Sequence, residues 1–313
     1  MSNLLESYIH SLINSINKPI PKEYNLVVDG GAFNCAFSGG CLYYINELEK
    51  LNYIRINKIS GCSIGALLGY MYLTNTLHLL PLYYSCLLNY GRKNINFNII
   101  KKLIKYHVKK TDYRIVNKKL FITFNNISKV KHVVVSEYHS ENKLIKYLIK
   151  SCFLPYLIDG TIGFKDKNQF YCDGFTPYIF KKDGHNTIFI SLITFKLYKY
   201  CFYTYEDLYI WDKLFYGIKD MHLFFTTNMK QTQYCSLINK WNYSNFIEFT
   251  FRELVNTITV GLLLQKILFD KYIKSNKCNK CNILLYIKNN IYFKECMNIF
   301  KLFLNNVISY KVL

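Results

Sequence analysis

Apolar side chains fall on two periods in this chain, and the change from one to the other marks out its elements. Near the start, Leu5, Tyr8, Ile9, Leu12, Ile13 and Ile16 recur three or four residues apart with Glu6, His10 and Asn14 between them, the spacing of an amphipathic helix. Residues 25–28 form a short apolar run that stops at Asp29, Gly30 and Gly31. Residues 36–51 then carry Phe37, Leu42, Tyr43, Ile45 and Leu48 at helical spacing. A second run, 54–59, stops at Gly61 and feeds Ala66, Leu67, Leu68, Tyr70 and Met71. Strand, glycine turn and helix, twice in succession, predict parallel strands joined by helical crossovers.

Further strands are expected at 120–124, 132–135, 170–172 and 187–194, and helices at 141–153, ended by Pro155, and at 252–272. Residues 92–119 crowd lysines around Ile99, Ile100, Leu103, Ile104 and Val108, and are expected to form a helical surface excursion led in by 94–98. The longest uncharged stretch lies between Lys58 and Arg92. Thr74, Asn75, Thr76, His78 and Pro81 interrupt it, so two buried helices are expected there instead of a transmembrane span. There is no internal repeat and no low-complexity linker.

Composition excludes a disordered chain, because 51% of the 313 residues are hydrophobic and 17% aromatic, enough to bury a large core. Charge narrows the partners. Lys plus Arg is 40 against 20 for Asp plus Glu, a net +20 at pH 7, which attracts anionic surfaces. Only Arg55, Arg92, Arg114 and Arg252 are arginines, and lysine lacks the planar fork that reads phosphates and guanine edges. Diffuse attraction to an anionic membrane is therefore expected, and specific nucleic-acid recognition is not. A merely solvated basic face is the competing account, since the excess of Lys, Asn, Ile and Tyr is what AT-rich codons encode.

Eleven cysteines cannot all pair within one chain, and residues 1–16 lack the basic start and unbroken apolar run of a secretory signal. An intracellular, cytoplasmic location with peripheral membrane association is expected. Cys278 and Cys281, with Cys296 beyond, make a single C-x-x-C without a second knuckle and with no histidine after His222, so free thiols and no metal are expected.

Three turns carry candidate chemistry. Gly61, Cys62, Ser63, Ile64 and Gly65 fit G-x-S-x-G, in which a serine sits on a strained turn between strand and helix. An ordinary helix N-cap would also place a serine there. Asp29, Gly30, Gly31, Ala32 and Phe33 form a small-residue turn after a strand, where free N–H groups suit an oxyanion or a phosphate; the third glycine of a dinucleotide loop is absent. Asp173 and Gly174 close a later strand. His185 follows in the chain order of a Ser-Asp-His triad, although its neighbours Asp183 and Gly184 are those of an exposed turn. Cys62 is not the middle residue of the elbow, so it is not the expected nucleophile.

In that order the three turns resemble the patatin-like phospholipase family. Asn25-Leu26-Val27-Val28-Asp29-Gly30-Gly31-Ala32-Phe33 followed by Gly40 is similar to the family's strand and oxyanion loop, and Ile59-Ser60-Gly61-Cys62-Ser63-Ile64-Gly65-Ala66 to its elbow. Cys152 to Tyr156, with Pro155, resembles the segment before the final strand, and Tyr171-Cys172-Asp173-Gly174, with Pro177, the aspartate motif. The resemblance covers roughly residues 24–195. It departs at Ala32, Asn34 and Cys35, where the family shows glycine, a base and glycine, and at Phe175, where it shows a small residue. Losing the base at 34 removes a positive charge near the oxyanion hole.

The resemblance implies an α/β three-layer fold with a central, mostly parallel sheet: an amphipathic helix at 1–23, a catalytic domain at 24–195, and a helical region at 196–313 packed on the same domain. It implies a Ser-Asp dyad of Ser63 and Asp173, an oxyanion hole at Gly30, Gly31 and Ala32, and no cofactor or metal. The implied activity is cleavage of fatty acyl esters in phospholipids or other acyl lipids at a membrane surface. The alternative is a basic membrane-associated or nucleic-acid-binding protein with a decayed hydrolase site.

Overall fold

The computed structural model describes residues 2–16, 23–91, 97–108, 113–157, 159–180, 184–192, 210–227 and 232–275. Cys278, Cys281 and Cys296 lie outside these residues, as do 94–96 of the expected lead-in. The opening helix α1 spans Ser2–Ile13, and its Leu5, Ile9 and Ile13 are buried. The two strand–turn–helix units follow as β1 (Glu23–Val28) with α2 (Cys35–Lys50), and β2 (Arg55–Cys62) with α3 (Ile64–Leu73). Helix α4 spans Leu80–Gly91, so the uncharged stretch is two helices. Among the described residues no helix is long and apolar enough to cross a membrane.

Helix α5 (Phe97–Val108) is less of an excursion than expected, because Ile104, His107 and Val108 are buried while Lys102 and Lys105 face solvent. Then come β3 (Leu120–Asn126), β4 (Lys131–Val135), α6 (Glu141–Ser151), β5 (Phe164–Asp166), β6 (Gln169–Asp173) and β7 (Asn186–Ile190). The hydroxyl of Ser140 caps α6 by accepting from the Lys143 N–H at 3.3 Å. The region expected to be helical holds α7 (Ile210–Thr226) and α8 (Tyr243–Ser275), but also a strand, β8 (Cys235–Leu237). That strand pairs with β7 and is held to α7 by Asp220, whose carboxylate accepts the N–H groups of Gln233, Tyr234 and Cys235 at 2.6–3.0 Å.

The described strands form one mixed sheet of eight, so the fold is α/β. Its centre, β3–β2–β1–β7, is parallel; β8 lies antiparallel beside β7, and β4, β6 and β5 add antiparallel pairings around β3. Alternation along the strands divides the core. Leu26, Val28, Ile122 and Ile190 point into the cluster built by α1 to α7, whereas Val27 and Phe189 face the other way, onto Phe180 and Phe249 of α8. Helices thus lie on both faces, as the buried centre of a parallel sheet requires.

The register contains the arrangement that makes a site. Strand β2 runs up one edge of β3 as far as the pair Cys62–Thr123, and β6 runs down β3 with Asp173 opposite Phe124. Residues 122–126 of β3 have β4 on their other edge, so β2 and β6 must share the remaining one. The two strands therefore meet end to end. Ser63 follows Cys62 and Asp173 ends β6, so the serine and the aspartate lie at one junction although 110 residues separate them in sequence.

Candidate active site

Ser63 lies between β2 and α3 with φ 53° and ψ −132°, a left-handed conformation that costs a non-glycine residue on the order of 1–3 kcal/mol. Its side chain makes no capping hydrogen bond, so the ordinary N-cap account of this serine fails. Its own N–H donates to Ser151 Oγ at 2.9 Å, and Ser151 Oγ donates to the Thr123 carbonyl at 2.7 Å, tying the elbow to β3 and α6. The flanking glycines are sterically required. A Cβ at Gly65 would overlap the carbonyls of Val28 and Asp29, and one at Gly61 would come 2.5–2.6 Å from the backbone of Gly65 and Ala66.

Asp173 is 1% exposed. One oxygen, Oδ1, accepts the Phe175 N–H at 2.8 Å, and Oδ2 has no hydrogen-bond partner. Burial raises its pKa to about 7; the neighbouring Ser63 hydroxyl and the Phe175 N–H oppose that rise, while the charge of Asp29 adds to it. The hydroxyl is thus near enough to favour the charged carboxylate, yet it leaves Oδ2 open. A loose contact of this kind is common before substrate binds. The backbone around Asp173 is held firmly: its N–H donates to Phe153 at 2.8 Å and its carbonyl accepts Asn125 Nδ2 at 2.7 Å. Gly174 packs on Thr123, whose carbonyl a Cβ would approach to 2.7 Å.

The glycine loop does lie beside the elbow, since a Cβ on Gly30 would come 3.2 Å from Ser63 Cβ. One of the three expected oxyanion donors is already engaged within the protein. The Gly30 N–H is engaged by Asp29 Oδ1 at 2.9 Å and Cys62 Sγ at 3.1 Å, because the buried Asp29 carboxylate turns back onto its own loop. No described hydrogen bond uses the N–H of Gly31 or Ala32. Ala32 stands at φ 44° and Phe175 at φ 58°, so two of the departures from the family pattern fall on backbone that glycine would adopt without strain.

No protein-family model matches the chain, and no curated protein matches it.

His185 is excluded from the junction. It precedes β7, whose first residue pairs with Tyr24 at the start of β1, and its Nδ1 lies 3.3 Å from Glu23. The junction is at the opposite end of β1, five residues or on the order of 16 Å away. Cys62 is fully buried, and burial together with Asp29 and Asp173 raises its thiol pKa well above the usual value, which leaves it protonated and inert. Among the described residues no group of three or more His, Cys, Asp or Glu side chains is placed to hold a metal.

Sequence reasoning missed the contribution of α8. Arg252 donates to Asp29 Oδ1 at 2.8 Å, and Asn256, one turn later, donates to the Gly174 carbonyl at 3.1 Å and accepts from Asn125 at 2.8 Å. The signal was thin: an arginine in a lysine-dominated chain, and an Asn four residues on, where the helix period puts both on one face.

Proposed function

We propose that this chain is a lipid acyl hydrolase of the patatin-like type, with phospholipase or lysophospholipase activity, in which Ser63 and Asp173 form a catalytic dyad. The observation that carries the reading is the end-to-end meeting of β2 and β6 on β3, which sets a strained, uncapped serine beside a buried carboxyl whose pKa is about 7. A base is most effective when its pKa is near the working pH. Asp173 accepts the proton of Ser63 Oγ as that oxygen bonds to the ester carbonyl carbon and the carbonyl electron pair moves onto oxygen. The N–H groups of Gly31 and Ala32 hold this oxyanion. Collapse expels the alcohol, which takes the proton from Asp173 and leaves Ser63 acylated; a water then gives a proton to Asp173 and attacks the acyl carbon, and the second collapse breaks the bond to Ser63 Oγ, which regains its proton from Asp173 as the fatty acid leaves.

A lipid substrate fits the surface around the junction. On α8, the helix that reaches the site through Arg252, the apolar side chains Phe246, Ile247, Phe251, Leu254, Val255 and Ile258 are each 45–61% exposed. Aligned apolar groups of this kind favour a lipid interface, and the net charge of +20 favours an anionic one. A fluorophosphonate probe tests the chemistry whatever the headgroup. Wild-type protein is expected to be labelled at Ser63 and to release fatty acid from phospholipid or lysophospholipid, and folded Ser63→Ala to do neither. Equal labelling of both proteins would overturn the reading.

A further inference from the structure

Asp29 is wholly buried, and a carboxylate in that position persists in its charged form only with a partner. Arg252 supplies one from 223 residues away, with Nη2 2.8 Å from Oδ1. The same Oδ1 accepts the Gly30 N–H, and Oδ2 accepts Ser191 Oγ at 3.3 Å, so the charge on Asp29 organises the loop that follows it. Nη2 also reaches the Phe175 carbonyl at 3.5 Å, and the N–H of that residue donates to Asp173 Oδ1. One guanidinium therefore touches both turns of the site: the loop with the oxyanion donors and the turn after the general base.

We infer that Arg252 is a positioning residue, which by neutralising Asp29 and spanning to Phe175 fixes the oxyanion loop against the Asp173 turn. The inference rests on the dyad reading. Lysine would replace the charge, but on a flexible stem and without the rigid planar guanidinium that holds Nη2 between its two acceptors. The groups facing Asp173 are Asp29 just after β1, Cys62 from β2, Cys152 at the end of α6 and Cys172 in its own strand, and burial keeps all three thiols protonated. Glu248 and Glu253 on α8 face Arg252 itself. The cation thus offsets one of the two carboxylates at the junction.

The test uses the full chain, carrying ¹³C in its aspartate carboxyls, as Arg252→Gln, Arg252→Lys and the double variant Asp29→Asn/Arg252→Gln. Folded Arg252→Gln is expected to react with a fluorophosphonate at least about tenfold more slowly at saturation, with half-saturation little changed. Arg252→Lys should recover part of that rate. A further aspartate carboxyl should take up a proton in the neutral range in Arg252→Gln, because a buried carboxylate stripped of its cation gains one, and should be absent from the double variant. A change confined to stability would move neither the rate at saturation nor the carboxyl signal. Wild-type reactivity in Arg252→Gln with no new titrating aspartate overturns the inference. Should that protein fail to fold, the double variant decides: a wild-type rate there overturns the inference and a slow one supports it. Wild-type protein that is unlabelled, or labelled equally after Ser63→Ala, overturns the dyad reading and this inference with it.

Discussion

Asp173 meets two opposed demands. Burial gives it the basicity that the proposed dyad asks of a base for serine, and the same burial makes its ionisation costly to the fold. Its pKa is about 7 in the folded protein against 3.8 ordinarily, so between those values the native state binds the extra proton. The stabilisation linked to that proton is fully present below about pH 3.8 and is lost as pH rises through about 7. At about 1.4 kcal/mol per unit the full difference is on the order of 4 kcal/mol. Asp173→Asn, which cannot ionise, should therefore raise the melting temperature relative to wild type more at pH 8 than at pH 5. Activity should run the other way: wild-type kcat/KM climbs with pH through about 7, and Asp173→Asn loses at least about a hundredfold. His185→Ala serves as the control, with an unchanged rate expected. A melting difference independent of pH, or a rate in Asp173→Asn equal to wild type, would show that this carboxyl is not the base.

Among the helices, packing of α2 on α7 depends on small residues on both. A Cβ at Gly40 would overlap the Leu214 carbonyl, and one at Gly217 the Phe37 carbonyl, so the two backbones are in direct contact. Helix α2 starts just beyond the glycine loop, and α7 sends the buried Lys213 to the Phe33 carbonyl of that loop at 3.3 Å and to the Tyr84 hydroxyl at 2.9 Å. Gly40→Ala is accordingly expected to destabilise the protein by about 1–3 kcal/mol in denaturant melts, the usual cost of overpacking. An unchanged midpoint would mean that the helices separate more freely than this contact implies. Periodicity found α2 readily, and it found the later part of α8. It placed the start of α8 nine residues late, because residues 243–251 are exposed apart from a single buried anchor, Phe249, and their other apolar side chains, Tyr243, Phe246, Ile247 and Phe251, face solvent among polar ones, so no apolar stripe sets a period. Strands β5 and β8, three residues each, are too short to show alternation at all.

For the molecule as a whole, the excess of twenty positive charges and the exposed apolar side of α8 lead to separable expectations at a membrane. Charge attraction is screened by salt, so binding to vesicles rich in anionic lipid should fall steeply between low and physiological ionic strength and be weak on neutral vesicles. Phe251→Ser with Leu254→Ser should weaken the salt-resistant remainder, read by vesicle flotation. Tight, salt-sensitive binding to DNA with none to vesicles would count against the lipid reading. Much of the candidate site's local makeup is legible in the amino-acid sequence: the two strand–turn–helix units, the serine turn and the Asp-Gly turn are local signals, because a glycine that must admit another backbone and a residue held on a tight turn leave their mark on adjacent positions. What joins them is not local. That β2 and β6 abut on one edge of β3 follows from strand register across more than a hundred residues. The engagement of the Gly30 amide by Cys62 Sγ at 3.1 Å, and the arrival of Arg252 within 2.8 Å of the Asp29 carboxylate, depend likewise on side chains that only folding brings together. Short-range patterns record what each turn needs from its neighbours. Burial, pairing of charge and the raised pKa of Asp173 belong to the assembled core, where water is excluded and a partner must come from elsewhere in the chain.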